Sequence, residues 1–129
     1  MAETQDIERK GLRALEDHLR GRGRSVAPSS DKRFDRIVDG VPAEVKCKQL
    51  PWARLDFIGL TDNQRAALEG GERFLLFIVC NLGSDGSPEI IELSSERLFG
   101  AQFKVESTHY LYGSQLRQLH DGRGDVTSP

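Results

Sequence analysis

Asp35, Glu44 and Lys46 are the residues of this 129-residue chain whose types and spacing best suit chemistry. They lie in two apolar-rich runs, Arg33–Val38 and Val41–Lys48, separated by Asp39-Gly40. That dipeptide fills the two positive-φ positions of a type I′ hairpin turn, whose twist matches the flanking strands. A two-residue loop there sets Val38 against Val41, Ile37 against Pro42 and Asp35 against Glu44. Ladder pairs alternate outward from the turn, so Pro42 falls where no donor is needed and Asp35/Glu44 falls at a close pair, with Cβ atoms about 5 Å apart.

Two carboxylates at that separation repel unless one is protonated or a cation neutralises them. Magnesium fits the need, because it takes oxygen ligands and commonly only one or two carboxylates, the rest being water and substrate phosphate. Manganese, with similar ligand preferences, is the expected substitute. The period of two places Lys46 on the face of Asp35 and Glu44, with Phe34, Val38, Val41, Ala43, Val45 and Cys47 expected on the opposite, core face. Lys46 beside such an ion would orient the attacking water or neutralise a phosphate in displacement. Glu8 shares a helical stripe with Leu12, Leu15 and Leu19, so it is expected to point toward the body of the protein.

The elements that must hold these groups follow from periodicity and punctuation. Asp6–Leu19 has helical spacing and ends at Gly21-Arg22-Gly23; Ser25–Ser30 reads as a brief edge strand or connection. Residues 51–57 are expected to form a loop. Thr61 and Gln64 make a capping box for a helix from Asp62 to Glu69, which Gly70-Gly71 stops. Phe74–Asn81 reads as a strand buried on both faces, followed by a partner strand Glu89–Leu93 and a turn capped by Ser94 or Ser95. Tyr110–Tyr112 and Ser114–His120 are a short strand and a terminal helix. The expected organisation is one domain over residues 1–120 with a flexible tail at 121–129. The fold class is α/β: a mixed sheet of four to five strands flanked by helices.

A helix acid, then Asp35, then Glu44-Val45-Lys46 one hairpin later, then the Thr61/Gln64 helix and a buried strand, resembles the PD-(D/E)XK nuclease superfamily over about residues 5–82. Within it the order is similar to archaeal-type Holliday junction resolvases, while Phe57–Thr61 to Val79 also resembles the NO VEIN-type C-terminal domain family. The resemblance implies a restriction-endonuclease-like α-β-β-β-α-β core and magnesium-dependent DNA cleavage. It implies Asp35, Glu44 and the Val45 carbonyl as metal ligands, Lys46 as the catalytic lysine and Glu8 as the assisting helix acid. Phe34 stands where the motif has proline, and the Asp-to-Glu separation is short for a resolvase. A resolvase cuts a symmetric junction twice, so this analogy also implies a homodimer, with Phe74–Val79 as one candidate surface.

Composition bounds these readings. Net charge is −2, which excludes a strongly basic nucleic-acid binder as a whole, but residues 1–54 hold 12 Lys and Arg against 9 Asp and Glu. Residues 55–129 hold 6 against 11. Arg33, Arg36, Lys48 and Arg54 are therefore candidate contacts to DNA phosphates, or else solubilising charge; Trp52 is a candidate stacking residue, or else a ring folded onto the core. Cys47 and Cys80 read as reduced thiols, and His18, His109 and His120 have no ligand spacing. The acidic start of the chain lacks an apolar signal segment and no apolar run is membrane length, so the expected compartment is the cytoplasm. The competing class is a non-catalytic DNA-binding or protein-interaction module on the same fold, and a restriction or mobile-element nuclease is a third.

Overall fold

The Asp39-Gly40 turn forms as its composition dictates: φ is +52° at Asp39 and +80° at Gly40 in the computed structural model. The structure describes residues 2–100, 104–105 and 109–122. A long helix, α1 (Ala2–Gly21), precedes three antiparallel strands, β1 (Val26–Pro28), β2 (Arg36–Val38) and β3 (Val41–Cys47). A short 3-10 turn (Trp52–Arg54) leads into β4 (Phe57–Leu60), and the Thr61-capped helix α2 (Asp62–Glu69) follows. Then come β5 (Leu75–Cys80), β6 (Glu89–Ser94), α3 (Ser95–Leu98), β7 (Lys104–Val105), β8 (His109–Tyr112) and α4 (Gly113–Gly122).

Five strands form one mixed sheet in the order β1-β2-β3-β5-β6, with β3 and β5 its one parallel pair. A parallel pair needs a crossover, which is what α2 and its approach supply. The chain is thus α/β, and α1, β1, β2, β3, α2 and β5 follow the expected α-β-β-β-α-β order. Both faces of the sheet are covered. Leu15 and Leu19 of α1 pack with Val38, Ala43, Val45, Phe77 and Val79 on one face. Phe34, Leu68, Leu76, Ile78, Leu98, Leu111 and Leu116 pack on the other. Phe34 therefore lies in the layer opposite the one its alternation predicts, with its ring 5.1 Å from Phe74. The residues before Arg36 are a turn rather than strand, so alternation does not reach back to it.

A second sheet was not expected. The order is β4-β8-β7, and β4 begins at Phe57, inside the segment read as loop. Ile58 and Leu60 are buried and alternate with the outward Phe57 and Gly59. A two-period pattern of four residues is too short to separate from loop when its partner, Tyr112, is so far along the chain. Phe74 and Leu76 through Cys80 have no exposed surface, so the candidate dimer surface Phe74–Val79 is instead an interior strand of the monomer's sheet. Residues 121–122 belong to α4, and the rest of the tail expected at 121–129 lies outside the described residues. Among the described residues no helix is long and apolar enough to cross a membrane.

Gly11 sets the approach of α1 to β3. A Cβ there would run into Cys47 Sγ and come within 2.9 Å of Leu82 Cδ1. Gly11→Ala is expected to destabilise the fold by about 1–3 kcal/mol through overpacking. In a Cys47→Ala background the same change should cost clearly less, because the blocking sulfur is gone. Urea unfolding of the four proteins measures the coupling, and an equal cost in both backgrounds would contradict this packing.

Candidate active site

β3 alternates between two buried layers, and Glu44 is the acid that alternation drives inward. Val45 faces α1, while Glu44 and Lys46 face the layer that holds α2. Glu44 is only 7% exposed, and Lys46 Nζ lies 3.1 Å from its Oε2. Burial pushes the Glu44 carboxyl up to about 7; Lys46 opposes this, Asp35 adds repulsion, and hydrogen bonds from Lys46 and Gln64 also oppose it. A carboxyl so placed has an unmet need for positive charge.

Asp35 comes to the same place by a different device. Arg36 is the ladder partner of Ala43, yet the Asp35 N–H also donates to the Ala43 carbonyl at 3.0 Å. Two residues face one, so the strand bulges and ends there. The exposed Asp35 side chain then replaces backbone: its Oδ2 accepts the Val45 N–H at 3.1 Å. In an antiparallel strand the N–H and C=O of one residue point the same way, so the Val45 carbonyl is directed to the edge that Asp35 occupies. The structure thus brings Asp35, Glu44, Val45 and Lys46 together, with Asp35 toward solvent and Glu44 behind it.

Gln64 is a site residue that sequence reasoning assigned only to capping. It is 3% exposed, its backbone N–H donates to Thr61 Oγ1 at 3.2 Å, and its Oε1 accepts the Thr61 N–H at 3.1 Å. Its Nε2 donates to the Arg33 carbonyl at 2.6 Å, and it hydrogen-bonds Glu44. One amide therefore ties the start of α2 to the turn carrying Asp35 and to the Glu44 carboxyl. The spacing Thr61-x-x-Gln64 predicts the cap and carries no signal for the second contact.

Glu8 is exposed rather than turned inward. The buried stripe of α1 runs through Gly11, Leu15 and Leu19, which rotates Glu8 toward one flank. There it lines a cleft of about 370 Å³ with Cys47, Lys48 and Asp56, beyond the far end of β3. The Cys47 thiol sits 3.8 Å from the Glu8 carbonyl oxygen; burial first, then Glu8, Asp35 and Glu44, pushes it up to about 12. Cys80 is likewise pushed to about 12, so both free cysteines are protonated and poor nucleophiles.

The candidate DNA contacts are distributed differently. Arg33 pairs with Asp31 at 2.8 Å and Glu72 at 3.0 Å, Arg36 with Glu16 at 3.0 Å, and Lys48 with Asp56 at 3.3 Å. Arg54 is exposed. Trp52 packs partly buried against the core, edge-on to His120 at 5.6 Å.

Among the described residues no group of three or more His, Cys, Asp and Glu side chains is arranged to hold an ion. Asp35 and Glu44 are two oxygen donors, the share of a magnesium shell that protein commonly supplies, and the Glu44 carboxyl is raised first by burial and to a lesser degree by Asp35. By donor type these two residues are of the kind a hard divalent ion takes. No family model matches the chain, and neither the curated proteins nor the solved structures contain a match to it.

The folded Glu44 carboxyl titrates at about 7 against an ordinary 4.5, so between those values the native chain holds a proton that the unfolded chain has released. Its contribution to stability therefore falls as pH rises from about 4.5 to about 7, by on the order of 3 kcal/mol. Urea unfolding at intervals from pH 4.5 to 8 measures the slope, and Glu44→Gln should flatten it. Gln64→Leu should cost about 1–3 kcal/mol by leaving the Arg33 carbonyl and Thr61 N–H without their partner, and should move the Glu44 titration further up. An unchanged Glu44 titration in that variant would remove Gln64 from the site.

Proposed function

We propose that this protein is a metal-dependent DNA endonuclease of PD-(D/E)XK type, acting on duplex or branched DNA as a junction resolvase does. The observation that carries the reading is Glu44, buried against Lys46 and repelled by Asp35, on the third strand of an α-β-β-β-α-β core. Asp35, Glu44 and the Val45 carbonyl would hold magnesium or manganese, which when bound supplies Lewis-acid polarisation of the phosphate and an acidified water. Lys46 would orient the attacking water and neutralise charge on the phosphate, and Gln64 keeps Glu44 aimed. The proposed compartment is the cytoplasm, and the proposed assembly a homodimer whose contact surface excludes β5.

A second reading, a non-catalytic module on the same fold, is favoured by one observation. Arg33, Arg36 and Lys48 already face carboxylates, so they offer DNA less charge than their number suggests.

Plasmid and four-way-junction DNA, incubated with wild type in magnesium, should be cut, and Lys46→Ala should lower the rate by about 100-fold or more. Salt-sensitive binding without cleavage would select the module. Magnesium should also raise the melting temperature of wild type and leave Asp35→Asn unmoved. Equal shifts in the two proteins would place the ion elsewhere.

A further inference from the structure

A bulge leaves backbone groups to be met outside the regular ladder, and Asp35 is held by three contacts around its bulge. Two of them face β3: the Asp35 N–H donates to the Ala43 carbonyl at 3.0 Å, and its Oδ2 accepts the Val45 N–H at 3.1 Å. The third lies on the other side. β1 ends at Pro28, the ladder partner of Arg36, so strand pairing there stops one residue short of Asp35. The Arg36 guanidinium folds back to fill that place, its Nη1 donating to the Asp35 carbonyl at 2.9 Å. The same guanidinium is fastened to α1, where Nε donates to Glu16 Oε2 at 3.0 Å and each side chain is 26% exposed. Arg20 lies 3.6 Å from the other Glu16 oxygen, so that carboxylate is held from two sides.

From this chain of contacts we infer that Arg36, set in place by Glu16, is a positioning residue for Asp35: the guanidinium fixes the bulge, and the bulge keeps the Asp35 carboxylate beside Glu44. The inference rests on the proposed nuclease reading and moves Arg36 from the DNA surface to the support of the acid pair. A guanidinium suits this role because its planar fork presents Nε and Nη1 at a fixed angle, so one group spans a helix carboxylate and a strand carbonyl. Those donors are then occupied, which leaves them little to offer a phosphate. An exposed aspartate at a strand end otherwise has several rotamers open to it, and selecting one costs entropy. Arg36 and Glu16 meet that cost in the folded chain, so the separation of the two acids is preset rather than found when a ligand arrives.

Amide hydrogen exchange of the full chain, read by NMR, tests this without metal or DNA. The Val45 N–H should be protected in wild type. Arg36→Met and Glu16→Gln should each speed its exchange by about tenfold, while amides of the interior strand β5 keep their wild-type rates. Glu16→Gln keeps the side-chain shape and carries the test if Arg36→Met does not fold. Equal acceleration in β5 marks a general loss of stability, and unchanged Val45 exchange in a folded variant shows Asp35 held without Arg36; either result overturns the inference. Magnesium, titrated into the same samples and followed at the Val45 amide, should bind the variants about tenfold more weakly than wild type. Equal affinity in all three proteins overturns the role at the site. Wild type that neither binds magnesium nor cuts DNA, with Val45 exchange still answering to Arg36, removes the nuclease reading and leaves the positioning of Asp35 standing.

Discussion

A carboxylate held inside a strand face otherwise given over to core is the constraint around which the rest of the site is arranged. Glu44 shares its layer with Leu76 and Ile78, both without exposed surface, and a charge in such surroundings is costly unless partners meet it. The partners come from three directions. Lys46 reaches back along β3, Gln64 reaches across from the first turn of α2, and Asp35 approaches from the edge with charge of the wrong sign. Two of these lower the cost and the third raises it, and burial outweighs them in setting the carboxyl near 7. A purely structural glutamate would gain nothing from Asp35 at its side. On the proposed reading, this local conflict is kept for use, as buried polar groups at functional sites often are.

The position of Asp35 depends on the turn before it, and here the arginines have structural work. Asp31 accepts from the Arg33 side chain and backbone, which holds its carboxyl down to about 2, and Arg33 continues to Glu72. The Arg33 carbonyl is also the acceptor for Gln64. The turn is thus fastened on both sides immediately before the bulge. Arg24 does the same at the other end of the hairpin, bridging Asp39 and Glu92 and holding the Asp39 carboxyl below its ordinary range. Exposed pairs of this kind are individually worth little, so their role is to select one arrangement of the loops rather than to stabilise the fold as a whole.

What was legible in the sequence was whatever short-range chemistry decides. Asp39-Gly40 admits one turn type, and the register from Val38/Val41 to Arg36/Ala43 follows from it. Thr61 and Gln64 cap α2 for the same local reason. The features that escaped depend on contacts far along the chain. The strand ends at Arg36 because the Asp35 carboxyl competes successfully for the Val45 N–H, an exchange of side chain for backbone that no alternation pattern contains. Glu8 turned outward because Gly11 belongs to the buried stripe of α1, and a glycine leaves no mark in a hydrophobic periodicity. β4 escaped for want of length and because its partner strand lies near the end of the chain.

On the proposed reading, Lys46 has two possible partners and cannot serve both fully. In the structure its ammonium is 3.1 Å from Glu44, where it supplies much of the positive charge that keeps the carboxyl from titrating higher still. If the Glu44 charge is instead met from the Asp35 side, that demand falls and the ammonium becomes available to water or to a phosphate oxygen. The acid pair and the lysine are then coupled through one carboxyl, so the lysine is released for chemistry only when the acids are neutralised. Gln64 bears on this exchange because its amide contributes to Glu44 without carrying charge, and holds the carboxyl in place whichever cation is opposite. Its second anchor, the Arg33 carbonyl, is two residues from Asp35, so the same amide limits how far the two acids can separate.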